Sequence, residues 1–77
     1  MTCAICNRKL RSDGAVYLGW GRRYDGLPGP GWVLALCPAT RVEVDLGAGS
    51  ACAEEARRRL GEGVVPASYE EFRGGRP

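Results

Sequence analysis

The most informative absence in this sequence of 77 residues is histidine, which occurs nowhere in the chain. Without histidine there is no Ser-His-Asp triad, no Cys-His nucleophile pair and no histidine-bearing metal site for hydrolysis. Long apolar runs are also missing, and no segment approaches the roughly 20 apolar residues of a membrane span. The polar residues close to the first methionine argue against a secretory leader. We therefore expect a cytoplasmic protein that does not bind a membrane.

The other groups that could support catalysis are few. Adjacent glutamates occur at positions 54–55 and 70–71, and neighbouring residues of a helix do not face each other. These pairs therefore predict solvated helix starts instead of a paired acid and base. The glycine-rich segments match neither a phosphate-binding loop nor a dinucleotide fingerprint. We expect a protein that is not an enzyme and has no small-molecule substrate.

Against these absences stand four cysteines. A chain of this length buries only about 60% of its unfolded surface, so it is marginally stable unless disulfides or a metal support it. In a reducing compartment, clustered cysteines bind metal more often than they form disulfides. Four thiolates complete the tetrahedral ligand set of a structural zinc ion and leave no position for a catalytic water. The predicted ligands of one Zn²⁺ are Cys3, Cys6, Cys37 and Cys52.

Other interpretations of the cysteines stay open. An iron–sulfur cluster also takes four thiolates, although the spacing C-x2-C-x30-C-x14-C matches neither common ferredoxin pattern. Two disulfides or unligated thiols are further alternatives, whereas a thioredoxin-like redox pair is disfavoured because Cys3 and Cys6 do not follow a strand. We favour zinc, and we predict a single zinc-binding domain at residues 1–73 with a flexible tail at 74–77.

Three segments predict strands after an N-terminal metal knuckle at residues 1–14. Residues 15–20 and 32–36 are mostly apolar, and the glycine- and proline-rich residues 21–31 between them predict a projecting loop. In residues 41–46 apolar and charged side chains alternate, which is the pattern of a half-buried strand. We expect these three strands to form an antiparallel meander.

Helix signals occupy the second half of the chain. Ser50 is a favourable N-cap and Gly61 a favourable stop, so they predict the main helix over residues 50–60. Cys52 falls in the first turn of this helix, where the helix dipole should lower the pKa of its thiol. A capping box predicts a short C-terminal helix over residues 68–72. The predicted fold class is therefore α+β.

Two short segments carry a resemblance to a known class of domain. They are C-A-I-C-N-R-K-L at residues 3–10 and G-A-G-S-A-C-A at residues 47–53. With the order knuckle, hairpin and helix, they resemble a treble-clef zinc finger and, in particular, short zinc modules of phages and actinobacteria. The resemblance implies ligands from a knuckle, a strand end and a helix start. The chain departs from many treble clefs because a whole predicted strand separates Cys37 from Cys52.

Basic and aromatic residues mark two candidate partner-binding segments. The net charge is only +2, and ten of the eleven basic residues are arginine, whose planar guanidinium suits phosphate or carboxylate. The loop after the first strand combines aromatic and basic side chains, which can stack on bases and grip phosphates or anchor a protein interface. The predicted partner-binding residues are Trp20, Arg22, Arg23, Tyr24 and Trp32 around the loop, and Arg8, Lys9 and Arg11 in the knuckle turn.

Simpler explanations exist for the same residues. The tryptophans can cover a small core, the arginines can be solvated, and the preference for arginine can come from GC-rich coding. The function we favour is a non-catalytic zinc module that binds nucleic acid or nucleic-acid machinery, for example in transcription. The alternative is a phage-encoded adaptor or inhibitor of a host protein complex, and a structural component of an assembly is a third option. The small net charge favours a protein partner, whereas the aromatic and basic loop favours nucleic acid.

Overall fold

The structure, a computed structural model, describes residues 1–74, so that residues 75–77 of the predicted tail lie outside the described range. Within the described range the elements are β1 (Val16–Arg22), β2 (Pro30–Leu36), α1 (Arg41–Asp45), α2 (Ala51–Leu60), β3 (Val65–Pro66) and α3 (Tyr69–Gly74). The strands of this part of the chain form one antiparallel sheet in the order β2-β1-β3. The predicted α+β class, with a main helix and a short C-terminal helix, is confirmed.

The hairpin of β1 and β2 extends further toward its tip than predicted. Arg22 pairs with Pro30 at the last register position, so the connecting loop is residues 23–29 instead of 21–31. Gly19 permits this extension, because a side chain at that position would overlap the ring of Pro30. The missing side chain lets the buried Pro30 cover the sheet near the hairpin tip.

The strand predicted over residues 41–46 is wrong, because this segment forms helix α1. Thr40 caps the helix: its hydroxyl accepts the backbone N–H of Glu43 at 3.1 Å, and the Glu43 carboxylate accepts the N–H of Thr40 at 2.7 Å. This capping box stabilises the first turn. The three apolar side chains of the segment are 62% to 77% exposed, so the alternation of apolar and charged residues does not mark a buried face.

The third strand comes from a different part of the chain. Residues Val65 and Pro66 pair with Gly19 and Leu18 of β1, and the Ala67 N–H donates to the Tyr17 carbonyl at 3.0 Å. The sheet is therefore three-stranded and antiparallel, as expected, but its third strand lies beside β1 and the order is not that of a meander. A proline fits this position because β3 is an edge strand.

The sheet carries an apolar cluster on each face. On one face, α2 and the N-terminal knuckle cover the strands, and the buried residues of this cluster are Cys3, Leu18, Leu36, Ala53 and Ala56. On the other face, the rings of Tyr69 and Phe72 from α3 lie 5.9 and 5.6 Å from the ring of Tyr17. Side chains alternate between the two faces of a strand, so successive residues of β1 feed both clusters. The cysteine-bearing elements all lie on the α2 side.

Candidate metal centre

The fold brings the four cysteines together, although they come from three separate segments. Their Sγ atoms all lie within 4.8 Å of one another, and the Sγ atoms of Cys6 and Cys37 are 3.4 Å apart. Four sulfurs bound tetrahedrally to zinc at about 2.3 Å would lie about 3.8 Å from each other. All four cysteines are free thiols. The cluster therefore has the size and the donor set to coordinate one metal ion of this kind.

The C-x-x-C turn is shaped by its own backbone. Asn7 adopts the left-handed conformation, with φ of 64°, and its N–H donates to the Cys3 carbonyl at 3.0 Å. The N–H of Ile5 points at the Cys3 sulfur at 3.4 Å, a contact that favours the thiolate form. The N–H of Ala4 donates to the Ala35 carbonyl at 3.0 Å and so attaches the turn to the end of β2. The knuckle therefore presents its two sulfurs in a fixed position relative to the sheet.

Ser50 connects the other two ligand segments. Its hydroxyl accepts the N–H of Ala53 at 3.2 Å as the N-cap of α2, and it also donates to the carbonyl of Cys37. The side chain is only 6% exposed. One hydroxyl thus joins the residue that follows β2 to the helix turn that carries Cys52. The N-cap is visible in the sequence, but the second hydrogen bond depends on the fold and sequence reasoning missed it.

Glu43 is a second connection that the sequence analysis missed. One carboxylate oxygen accepts the N–H of Thr40 at 2.7 Å, and the other accepts the N–H of Ala51 at 2.8 Å. These hydrogen bonds hold the pKa of Glu43 below its usual value, although burial acts in the opposite direction. A single carboxylate therefore caps the starts of both α1 and α2. The T-x-x-E signal at residues 40–43 predicts only the first of these two caps.

The thiols of the cluster differ in acidity. Burial alone raises the pKa of the Cys3 thiol, but the backbone N–H groups of Cys6 and Ile5 donate to its sulfur and lower the pKa to about 6. Burial and a hydrogen bond shared with Cys6 raise the pKa of Cys37 to about 12. Burial likewise raises the pKa of Cys52, so the lowering predicted from the helix dipole is wrong. Thiolates must replace thiols before metal can bind, so metal binding would release protons from this cluster.

The four cysteines differ in their exposure to solvent. Cys3 is buried, Cys37 and Cys52 are half-buried, and Cys6 is exposed. The exposed side opens into a groove of about 510 Å³, which we call the knuckle groove. Its walls include the three basic residues of the knuckle turn, the segment 38–40 and the start of α2. The structure thus places Arg8, Lys9 and Arg11 beside the candidate metal centre.

The aromatic residues of the other predicted segment meet at the far end of the hairpin. Trp20 and Trp32 pair across β1 and β2, with ring centroids 6.4 Å apart and ring planes inclined by 22°. Trp32 is 52% exposed, and Tyr24 in the loop is 87% exposed. Gly21, with φ of 76°, leaves room for the Trp32 ring, since a side chain there would approach its Cδ1 to 3.2 Å. We call this end of the molecule the hairpin tip, residues 20–32.

The two arginines of the hairpin tip have different surroundings. Arg23 forms a two-pronged ion pair with Asp25, in which Nε and Nη2 lie 3.0 and 2.7 Å from the two carboxylate oxygens. The Arg23 guanidinium, together with the N–H of Leu27, lowers the pKa of Asp25 to about 2. Arg22 is exposed and has no acidic partner among residues 1–74. Arg23 therefore organises the loop, and Arg22 is the cation that faces solvent.

The two predicted partner-binding segments lie at opposite ends of the hairpin. Trp32 and Leu36 are four residues apart on β2, which corresponds to about 13 Å along a strand. The knuckle packs at the Leu36 end, where Cys3 and Leu36 share a cluster. Trp32 and Leu36 project from the same face of the strand because their positions differ by an even number. The distance along the strand nevertheless separates the two segments, which therefore form two distinct surfaces.

No helix within residues 1–74 has the length and apolar character needed to cross a membrane.

The order of knuckle, hairpin and helix, with Cys52 in the first turn of α2, agrees with the layout that the treble-clef resemblance implies. The segment between Cys37 and Cys52 holds a short helix in place of the strand we predicted. No protein-family model, curated protein or solved structure matches the chain, so the resemblance to short zinc modules of phages and actinobacteria stays a prediction.

Proposed function

We propose that this protein is a non-catalytic zinc module that binds single-stranded nucleic acid through the hairpin tip. The observation that carries the proposal is an exposed tryptophan, Trp32, which stacks on Trp20, while the exposed Arg22 follows Trp20 by two residues on β1. The biological setting that fits such a module is transcription or another part of nucleic-acid metabolism.

The metal we propose is one Zn²⁺ per chain, with a structural role. The four-sulfur donor set is characteristic of closed structural zinc sites, in which no position is left for a reacting water. The residues that would hold the ion come from the knuckle, the end of β2 and the start of α2. When bound, the zinc would supply the cross-link between these segments, which a chain of this size needs for stability. We also propose that the protein is not an enzyme, since a closed site of this kind would hold no catalytic water.

The hairpin tip suits unpaired bases better than a duplex. Stacking on an aromatic ring requires a base whose face is accessible, and each stacked base contributes about 1–3 kcal/mol. Trp32 offers such a ring, and Tyr24 offers a second exposed ring in the loop. Arg22 would contact a phosphate, while the ion pair of Arg23 with Asp25 would keep the loop in shape. The small size of the tip predicts contact with only a few nucleotides.

Fluorescence titration with single-stranded oligonucleotides tests this proposal, because stacking on Trp32 should quench tryptophan emission. Trp32→Ala should weaken binding by about 5- to 150-fold, the equivalent of one lost stacking contact. Arg22→Ala should lower the slope of log affinity against log salt by about one. Arg41→Ala is the matched control, since Arg41 is an exposed arginine on α1 and its loss should leave binding unchanged. Absence of binding to any single-stranded DNA or RNA at low salt would refute the proposal.

A second function, a protein-binding adaptor, is favoured by a different observation. Helix α1 buries no residue, and its apolar side chains Val42, Val44 and Leu46 are largely exposed. Contiguous exposed apolar residues are typical of protein interfaces, and Val42 and Leu46, four residues apart, lie on one side of this segment. A phage-encoded adaptor or inhibitor of a host complex would use such a surface. Binding through α1 would persist at high salt, whereas binding of nucleic acid through phosphates would not.

A further inference from the structure

The knuckle groove differs from the hairpin tip in both shape and lining. It has a volume of about 510 Å³, within the range of about 300–1,000 Å³ that is common for ligand sites, and it is open to solvent along one side. Much of its lining is apolar, including Leu10, Pro38, Ala39 and Ala51. An open groove with such a lining suits an extended chain that inserts a side chain more than it suits an enclosed small molecule.

The rim of the knuckle groove is positively charged. Arg8 and Lys9 have no acidic partner among the described residues 1–74. Arg11 contacts Asp13 at 3.5 Å, but both side chains are exposed, and such pairs contribute little. All three cations line the groove, so they are available to an acidic ligand.

The floor of the knuckle groove has the opposite character. Cys6, Cys37 and Cys52 contribute to it, and four thiolates with one divalent ion carry a net charge of −2. Among the described residues that line the groove, the only acid is Glu43, whose two oxygens are already engaged by backbone N–H groups at 2.7 and 2.8 Å. A ligand must therefore place its negative charges at the rim and an uncharged side chain over the sulfurs. Among the described residues, the groove lining contains no aromatic ring on which a base could stack, so the groove fits an apolar amino-acid side chain better than a nucleobase.

Helix α1 borders the groove, and two of the exposed apolar residues in this segment lie outside the groove lining. Thr40 and Glu43 form part of the wall, while Val42 and Leu46, four residues apart, lie on one side of the helix and are both exposed. The caps described above hold α1 in place, so its apolar side chains are not needed for packing in the described part of the chain. These residues are therefore available to a partner.

We propose that the knuckle groove and α1 together bind an acidic segment of a partner protein that carries an apolar side chain. The apolar side chain enters the groove above the cysteine cluster, and the flanking carboxylates pair with Arg8, Lys9 and Arg11. The apolar residues of α1 cover the rest of the segment. This inference gives the adaptor function a site and a partner chemistry, and it does not depend on binding of nucleic acid at the hairpin tip.

An NMR titration of the zinc-loaded protein tests the inference with three probes. The first is a 12-residue synthetic peptide of Asp and Glu with central Leu and Phe, the second replaces Leu and Phe by Ser, and the third is a single-stranded oligonucleotide. Only the first peptide should shift the amide signals of residues 8–11 and 39–46. A similar effect of the second peptide, a stronger effect of the oligonucleotide on these signals, or no shift at millimolar peptide would overturn the inference.

Two double substitutions distinguish peptide binding at this site from a general effect of the protein's net charge. Arg8→Gln with Lys9→Gln should weaken binding of the first peptide about tenfold. Arg57→Gln with Arg73→Gln removes the same charge from exposed positions outside the groove and should change the affinity less than twofold. Equal losses in both double variants would contradict the proposed site. Trp32→Ala should leave peptide binding unchanged, so failure of the nucleic-acid proposal and failure of this inference give different results.

Discussion

Replacing Ser50 with alanine removes two hydrogen bonds that act close to the metal centre. The first is the N-cap of α2, whose loss costs about 1 kcal/mol in comparable helices. The second leaves the carbonyl of Cys37 without its donor in a half-buried position, which adds about 1–3 kcal/mol. We therefore expect Ser50→Ala to lower the free energy of unfolding by about 2–4 kcal/mol. Urea denaturation of the zinc-loaded protein would measure this loss.

The chain offers a matched control for this prediction. Ser68 precedes α3, and its hydroxyl accepts the N–H of Glu71 at 3.2 Å, but no further hydrogen bond of that hydroxyl links α3 to another segment within residues 1–74. Ser68→Ala should therefore cost only about 1 kcal/mol, the value of one cap. Ser50→Ala should also make the protein release zinc to a chelator more readily, whereas Ser68→Ala should not. Equal losses of stability in the two variants would refute the linking role of Ser50.

Three further predictions concern the metal ligands, the hairpin loop and helix α1. Cys6→Ser and Cys52→Ser should each abolish zinc binding and the cooperative thermal transition, because metal-binding free energy in small domains is largely folding free energy; a native transition with bound zinc would contradict the ligand assignment. The pKa of Asp25, about 2 when paired with Arg23, should return toward its ordinary value of 3.8 in Arg23→Ala, as measured by NMR titration. Because the folded pKa is depressed, the stabilisation from this pair is present above pH 3.8 and lost as the pH falls toward 2. Val42→Asp should change the free energy of unfolding by less than about 0.5 kcal/mol, since Val42 is exposed on a helix; a large loss would indicate a buried strand.

The parts of the fold that could be predicted from sequence are those set by strong local signals. The hairpin strands were recognisable from their apolar runs, and α2 from its serine cap and terminal glycine. The clustering of the four cysteines could also be anticipated, because a small chain with a four-thiol set gains most by bringing the thiols together. These features need no knowledge of tertiary contacts.

The incorrect secondary-structure predictions concern segments in which weak local signals for helix and strand competed. Residues 41–46 alternate in polarity, but six residues are too few for periodicity to decide when none is buried. The capping box that starts at Thr40 was present in the sequence and favoured the helix. Strand β3 has only two residues, so it has no pattern of its own and depends on pairing with β1. The link from Ser50 to Cys37 depends likewise on tertiary structure.

The double cap formed by Glu43 has a consequence for where the chain can change in length. One carboxylate must reach the N–H groups of both Thr40 and Ala51, so the number of residues between the two helix starts is fixed. An insertion or deletion there would change the spacing of the two helix starts and displace the cysteine that follows. Within residues 1–74, the side-chain hydrogen bonds of the loop at 23–29 join residues only two positions apart, so they do not fix its length. Length variation among related chains should therefore accumulate at the turn of the hairpin and be excluded between the third and fourth cysteines.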